Sequence, residues 1–156
     1  MMRETQALHL ENVMQKHIRY AEYEVALPLM KVQRSTLKKL RVNDVFLLKL
    51  NLLECIMIEE GRICARLQLK ACEGTYALTI IQTEQETIVS DKNPKRKMIK
   101  FSFGAYPMKH LTIGESLNMD LFDTEKIALI VNEKKIAEGS LINVENEIAV
   151  KVNRVL

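Results

Sequence analysis

The stretch "LKKLRVNDVFLL", residues 37–48, returns in altered form as "MKHLTIGESLNM" at 108–119. A chain that repeats itself must solve the same packing problem twice, which limits its folds more than any single motif could. Leu40 aligns with Leu111, Val42 with Ile113, Asp44 with Glu115 and Phe46 with Leu117. Asn43 stands where Gly114 stands, and both residue types tolerate a left-handed turn. Farther on, "TYALTI" aligns with "EIAVKV", so that Tyr76 matches Ile148, Leu78 matches Val150 and Ile80 matches Val152. The offset changes by one residue between the two alignments, as a small difference in turn length would produce. Convergence of two ordinary hairpin sets is the competing explanation.

The pattern within each copy is that of β-strands. "RICARLQLK" sets Ile63, Ala65, Leu67 and Leu69 on one face and Arg62, Cys64, Arg66, Gln68 and Lys70 on the other. Glu60-Gly61 and Glu73-Gly74 have the residue types of hairpin corners. The closing run "VNEKKIAEGSLINVENEIAVKV" is turn, strand, turn, strand, with its glycine inside a strand. Ile148, Val150 and Val152 point one way, and Glu147, Ala149, Lys151 and Asn153 the other.

A unit of roughly 45 residues with three or four strands buries too little surface to stand alone. Two such units are therefore expected to cover each other. The spacing predicts a mainly β fold of two small modules, 36–82 and 108–156, paired as an intertwined or face-to-face unit within the chain. Leu67, Leu69, Tyr76, Leu78, Ile80, Ile148, Val150 and Val152 are the expected inter-module core.

The flanks read differently. Leu8, Leu10, Val13, Met14, Ile18, Ala21 and Val25 form a helical stripe that Pro28 would end. Residues 1–35 are thus expected to hold an N-terminal amphipathic helix and a lead-in, docked on the chain's own core or on a partner. Residues 83–107 break the β rhythm with Pro94 and a run of cations including Lys95, Arg96 and Lys97. They read as a solvated basic linker, the alternative being a contact with nucleic acid, an acidic surface or anionic lipid. "MIKFSF" within them allows a short strand through Ile99, Phe101 and Phe103.

Composition narrows the function classes. The net charge of +3 is too small to argue for a nucleic-acid partner. No apolar run reaches the ~18 residues that span a bilayer, and residues 1–13 lack a secretory h-region, so a cytoplasmic location is expected. Cys55, Cys64 and Cys72 include no CxxC pair and lie far in sequence from His9, His17 and His110. No metal or cofactor is expected. No nucleophile–base order and no phosphate-binding or dinucleotide glycine pattern is present, so neither a catalytic residue nor a small-molecule substrate is assigned.

The second copy resembles the SpoA (surface presentation of antigens) domain. The resemblance is carried by Leu111-x-Ile113-Gly114-Glu115, by Ile130-Val131-Asn132-x-Lys134-x-Ile136-Ala137-x-Gly139, and by the exit Ile148-Ala149-Val150-Lys151-Val152. Residues 37–82 are a weaker match that keeps the spacing and the apolar positions. SpoA domains end the flagellar motor switch protein FliN and the cytoplasmic-ring proteins of type III secretion systems. The resemblance covers about three fifths of the chain and implies small, intertwined β dimers made from two SpoA units. It also implies a non-enzymatic structural role in a cytoplasmic ring or sorting platform at the inner face of the membrane. The implied partners are a stator-type regulator of the export ATPase, other ring subunits and further copies of the chain. In FliN relatives a run of valines after the internal glycine binds the stator partner. The matching positions here are Leu141, Ile142 and Asn143, and the chain departs from the family at the third. Leu141, Ile142 and Val144 are the candidate partner-binding residues. Neither a phosphatase-like middle domain nor the arginine-rich signature of a cyclic-dinucleotide-binding barrel is present.

"DVFLL" and "SLINV" carry apolar residues on both faces. A strand of that kind needs cover on both sides. The partner module would supply one cover, and a partner protein or the N-terminal helix the other.

Overall fold

A computed structural model describes residues 21–89 and 93–156. Twelve strands form one antiparallel open sheet: β1 (Ala21–Ala26), β2 (Met30–Gln33), β3 (Val45–Leu50), β4 (Glu54–Glu59), β5 (Arg62–Cys72), β6 (Thr75–Gln82), β7 (Glu86–Thr87), β8 (Arg96–Met108), β9 (Ser116–Asn118), β10 (Ile127–Val131), β11 (Lys134–Val144) and β12 (Glu147–Val155). A short helix, α1 (Arg34–Lys38), follows β2. The strands lie in the order β3-β12-β11-β10-β8-β1-β4-β5-β6-β9, with β2 beside β8 and β7 beside β5.

Four two-residue corners close the hairpins: Glu60-Gly61, Glu73-Gly74, Asn132-Glu133 and Glu145-Asn146. All eight residues have positive φ, the backbone that makes a two-residue turn follow the strands' own twist. Only two of the eight are glycine, so hairpin closure outweighs the left-handed strain of the glutamates.

The register repeats across the two copies. Cys55 pairs with Leu67 and Met57 with Ala65 in β4–β5, as Ile127 pairs with Gly139 and Leu129 with Ala137 in β10–β11. Leu67↔Ile80 and Leu69↔Leu78 in β5–β6 correspond to Gly139↔Val152 and Leu141↔Val150 in β11–β12. Each copy also has a bulge at the matching place, after Met57 and after Leu129.

The strands that open the aligned stretches cross over. Phe46 of β3 pairs with Val150 of β12, and Leu117 of β9 pairs with Leu78 of β6. Both crossings are reinforced just upstream. Asn43 N–H donates to the Val152 carbonyl and Val152 N–H to the Asp44 carbonyl, at 2.7 and 2.8 Å. Gly114 N–H and Ile80 N–H donate to Ile80 and Glu115 at 2.9 and 2.8 Å.

The main hydrophobic cluster draws on strands of both copies, and a smaller one, Ala26, Ile56, Ile58 and Ile63, lies apart from it. Leu67, Leu78, Ile80, Val150 and Val152 lie in the main cluster with Phe46, Phe101 and Leu117, and Leu69 and Ile148 pack on its edge. Tyr76, expected among them, is instead 60% exposed. Its counterpart Ile148 is half-buried because β3 runs on to Leu50, which pairs with it, whereas β9 ends at Asn118, opposite Ala77.

Two further expectations are corrected. Residues 21–26, assigned to the N-terminal helix, are strand β1; the rest of that stripe falls on residues 1–20, outside the described residues. Ala21, Tyr23, Val25 and Leu27 also alternate, and β4 and β8 offer β1 hydrogen-bonding partners on both edges, so the alternation prevails. Nor is the basic segment a linker throughout, because Arg96–Met108 is β8, central in the sheet. Ile99 and Phe101, both at 0% exposure, anchor it where "MIKFSF" suggested a strand. Lys100 is matched by an ion pair with Glu24, whose Oε2 also accepts from Ser102 Oγ at 2.8 Å.

Candidate protein-binding surface

Strand alternation sends neighbouring side chains to opposite faces of a sheet, and this divides the expected partner-binding trio. Leu141, paired with the buried Val150, packs against the main core. Ile142 and Val144 occupy the outer face. Leu141 therefore does not share a surface with them.

Ile142 has other company. It pairs with Ala149 of β12, which pairs in turn with Leu47 of β3. Leu47 is 48% exposed and Val45, on the same face of β3, 44%. Ala149 is fully covered between its two larger neighbours. The result is an apolar strip across three strands, Leu47–Ala149–Ile142 with Val45 alongside. The two-faced pattern of "DVFLL" is the sequence signal for the exposure of Val45 and Leu47, which lie outside the expected trio of Leu141, Ile142 and Val144.

The other end of the sheet has the same architecture and different chemistry. There Lys70 pairs with Ala77, and Ala77 with Asn118, with Ser116 taking the place of Val45. Matching positions are thus apolar at one end and polar at the other. The folding requirement is common to both ends, so it does not explain the exposed apolar side chains at one of them.

A concavity lies on the face of β1, β4 and β8 opposite the main core, with a volume of about 1050 Å³. Glu22, Glu24, Glu59, Glu60 and Glu133 line it above an apolar floor that includes Ile58. Glu59 Oε2 is buried without a hydrogen-bond partner. Burial, with Glu59 adding to it, raises the pKa of both Tyr23 and Cys64. Burial above all pushes the Cys55 thiol up to about 12. These thiols are held protonated, the opposite of an activated nucleophile. Among the described residues no three histidine, cysteine or carboxylate side chains are grouped to hold a metal ion, and no helix is long and apolar enough to cross a membrane.

No protein-family model and no curated protein matches the chain.

Proposed function

We propose that the chain is a structural adaptor built from two SpoA-like modules that form an intertwined pair. It serves a flagellar or type III secretion cytoplasmic ring at the inner face of the membrane. The reciprocal crossing of the lead strands, β3 onto β12 and β9 onto β6, carries this reading. Neither module has a complete sheet without the other's strand, so the pair is one cooperative unit whose outer faces are available for binding.

The strip at Leu47, Ala149 and Ile142 is the docking site for a stator-type regulator of the export ATPase, with other ring subunits bound elsewhere on the molecule. The polar character of the matching positions gives one such site per chain. Its two outermost large side chains accept an apolar helix face in the manner of a helix laid on a groove.

The test is affinity purification from the native bacterium, with bound proteins identified, for the unaltered chain and for Leu47→Asp/Ile142→Asp. Recovery of export-apparatus or motor components, lost in the double variant while its circular dichroism spectrum is unchanged, is expected. Recovery of neither class would overturn the ring assignment. Equal recovery with both chains would remove the strip as the docking site.

A further inference from the structure

The charge of this chain is segregated along its sequence. Residues 31–41 and 92–100 hold ten of the 23 lysines and arginines and none of the 20 acidic residues. The remainder of the chain, with thirteen cations against 20 acids, is net acidic. The two basic stretches are separated by fifty residues of sequence, yet β2 pairs with β8 with Val32 opposite Lys97 and Gln33 opposite Arg96. Arg34 N–H donates to the Lys95 carbonyl at 2.7 Å and locks the two ends together. Folding thus gathers Arg34, Lys38 and Lys95 around one place, and like charges gathered in this way repel one another.

Where the stretches meet there is a cleft of about 360 Å³ lined by Gln33, Arg34, Ser35, Lys38, Pro94 and Lys95. Three cations, a hydroxyl and an amide thus surround a concavity that, among the described residues, no carboxylate lines. Among the described residues no carboxylate is paired with the Arg34, Lys38 or Lys95 side chain. The cleft also lies where the chain departs from its own repeat. Residues 27–44 join β1 to β3 through β2 and α1, whereas residues 109–115 carry β8 directly to β9. The β2–α1 addition has no counterpart in the second copy, so the shared β framework does not require it.

We infer that this cleft is a binding site for a phosphate group. A phosphate presents several acceptor oxygens in a tetrahedral array, which a guanidinium fork and two ammonium groups approach from different sides. A nucleic-acid base finds no stacking platform nearby, since Phe101 is fully buried and Phe103 packs against the core. The phosphate is supplied by a lipid headgroup or by a soluble phosphorylated molecule. Exposed Lys39 and Arg41, just beyond α1, extend the basic surface as contact with an anionic membrane would favour. The site is independent of the apolar strip, so its failure would leave the adaptor reading intact.

The test uses the full chain, Arg34→Gln/Lys38→Gln/Lys95→Gln, and a control with the same charge loss elsewhere, Lys109→Gln/Lys126→Gln/Lys134→Gln. All six side chains are exposed, so both variants should fold. Amide chemical shifts are followed during titration with inorganic phosphate, and sedimentation is measured with phosphatidylglycerol vesicles and with phosphatidylcholine vesicles. Saturable shifts confined to residues 33–38 and 94–96, and at least tenfold weaker binding in the cleft variant than in the control, are expected. Capture by phosphatidylglycerol vesicles that follows the same residues assigns the headgroup as the source. Localised shifts without vesicle capture assign a soluble phosphorylated ligand. Diffuse shifts, or equal losses in the two variants, would overturn the site.

Discussion

Asn43 and Gly114 occupy the same position in the two copies, and each donates its backbone N–H to the closing strand of the opposite copy. Asn43 reaches the Val152 carbonyl and Gly114 the Ile80 carbonyl. Both have the left-handed backbone, with φ of 76° and 98°. A side chain at Gly114 would meet nothing within 4 Å, so a substitution there tests backbone strain alone. Gly114→Ala should cost about 1–2 kcal/mol, and Asn43→Ala about 1 kcal/mol, whereas Asn43→Gly should be close to neutral. Urea unfolding of the three variants checks this. Equal stability of Gly114→Ala and the unaltered chain would deny the turn its role in the crossing.

Leu141 and Ile142 are adjacent in sequence and should respond oppositely to charge. Leu141→Asp places a carboxylate against the main core and should cost about 3 kcal/mol or more. Ile142→Asp faces outward and should cost about 1 kcal/mol or less, through loss of its cross-strand contact with Ala149. Thermal unfolding separates the two readily. Similar melting temperatures for both variants would reverse the assignment of faces.

Gly139 has no room for growth. An added Cβ would lie 2.7 Å from the Lys151 carbonyl oxygen and 2.8 Å from Val150 Cγ1. The corresponding residue in the first copy is Leu67, fully buried, and the difference is balanced across the strand pair: Leu67 sits opposite Cys55 and Gly139 opposite Ile127. Gly139→Ala should destabilise by about 1–3 kcal/mol. Because Val150 Cγ1 is the nearest side-chain atom, Gly139→Ala should cost less in a Val150→Ala background than in the unaltered chain, and a denaturation series on the single and double variants measures it.

Cys55 makes the alkaline limb of stability a readout of burial. Its thiol is raised from 9.0 to about 12, chiefly by desolvation and then by Glu54. In the unfolded chain it ionises near its ordinary value, so above pH 9 the unfolded state carries fewer protons than the folded one. The stabilisation this residue provides is complete below pH 9 and is lost progressively as pH rises toward 12. At pH 8.5 iodoacetamide should label Cys55 slowly in the native protein and rapidly in urea, as peptide mass mapping would show. Rapid native labelling would mean that the thiol is accessible.

The repeat, the hairpin corners and the left-handed pair at Asn43 and Gly114 could be read from residue types alone, because turn chemistry is local. The two-faced strands that build the apolar strip were also visible. Which of their residues would share a face was not, since Leu47 and Ile142 meet only through β12, about a hundred residues beyond Leu47. Residues 21–26 satisfy both the helical and the alternating pattern, and their pairing with β4 and β8 selects the strand. The basic run at 95–97 has the composition of a linker, and the buried Ile99 and Phe101 that follow anchor it in the sheet.

Taken alone, the sequence determined that this protein is mainly β, where its hairpin corners fall, and which side chains seek the interior. These properties depend on periodicity and local backbone preference, which do not require knowledge of distant neighbours. Tertiary structure decided the exchange of lead strands, the exposure of Tyr76, the strip at Leu47 and Ile142, and the meeting of the two basic stretches. Each of these depends on which strands hydrogen-bond across long separations, and that choice is made by burying all the apolar faces at once.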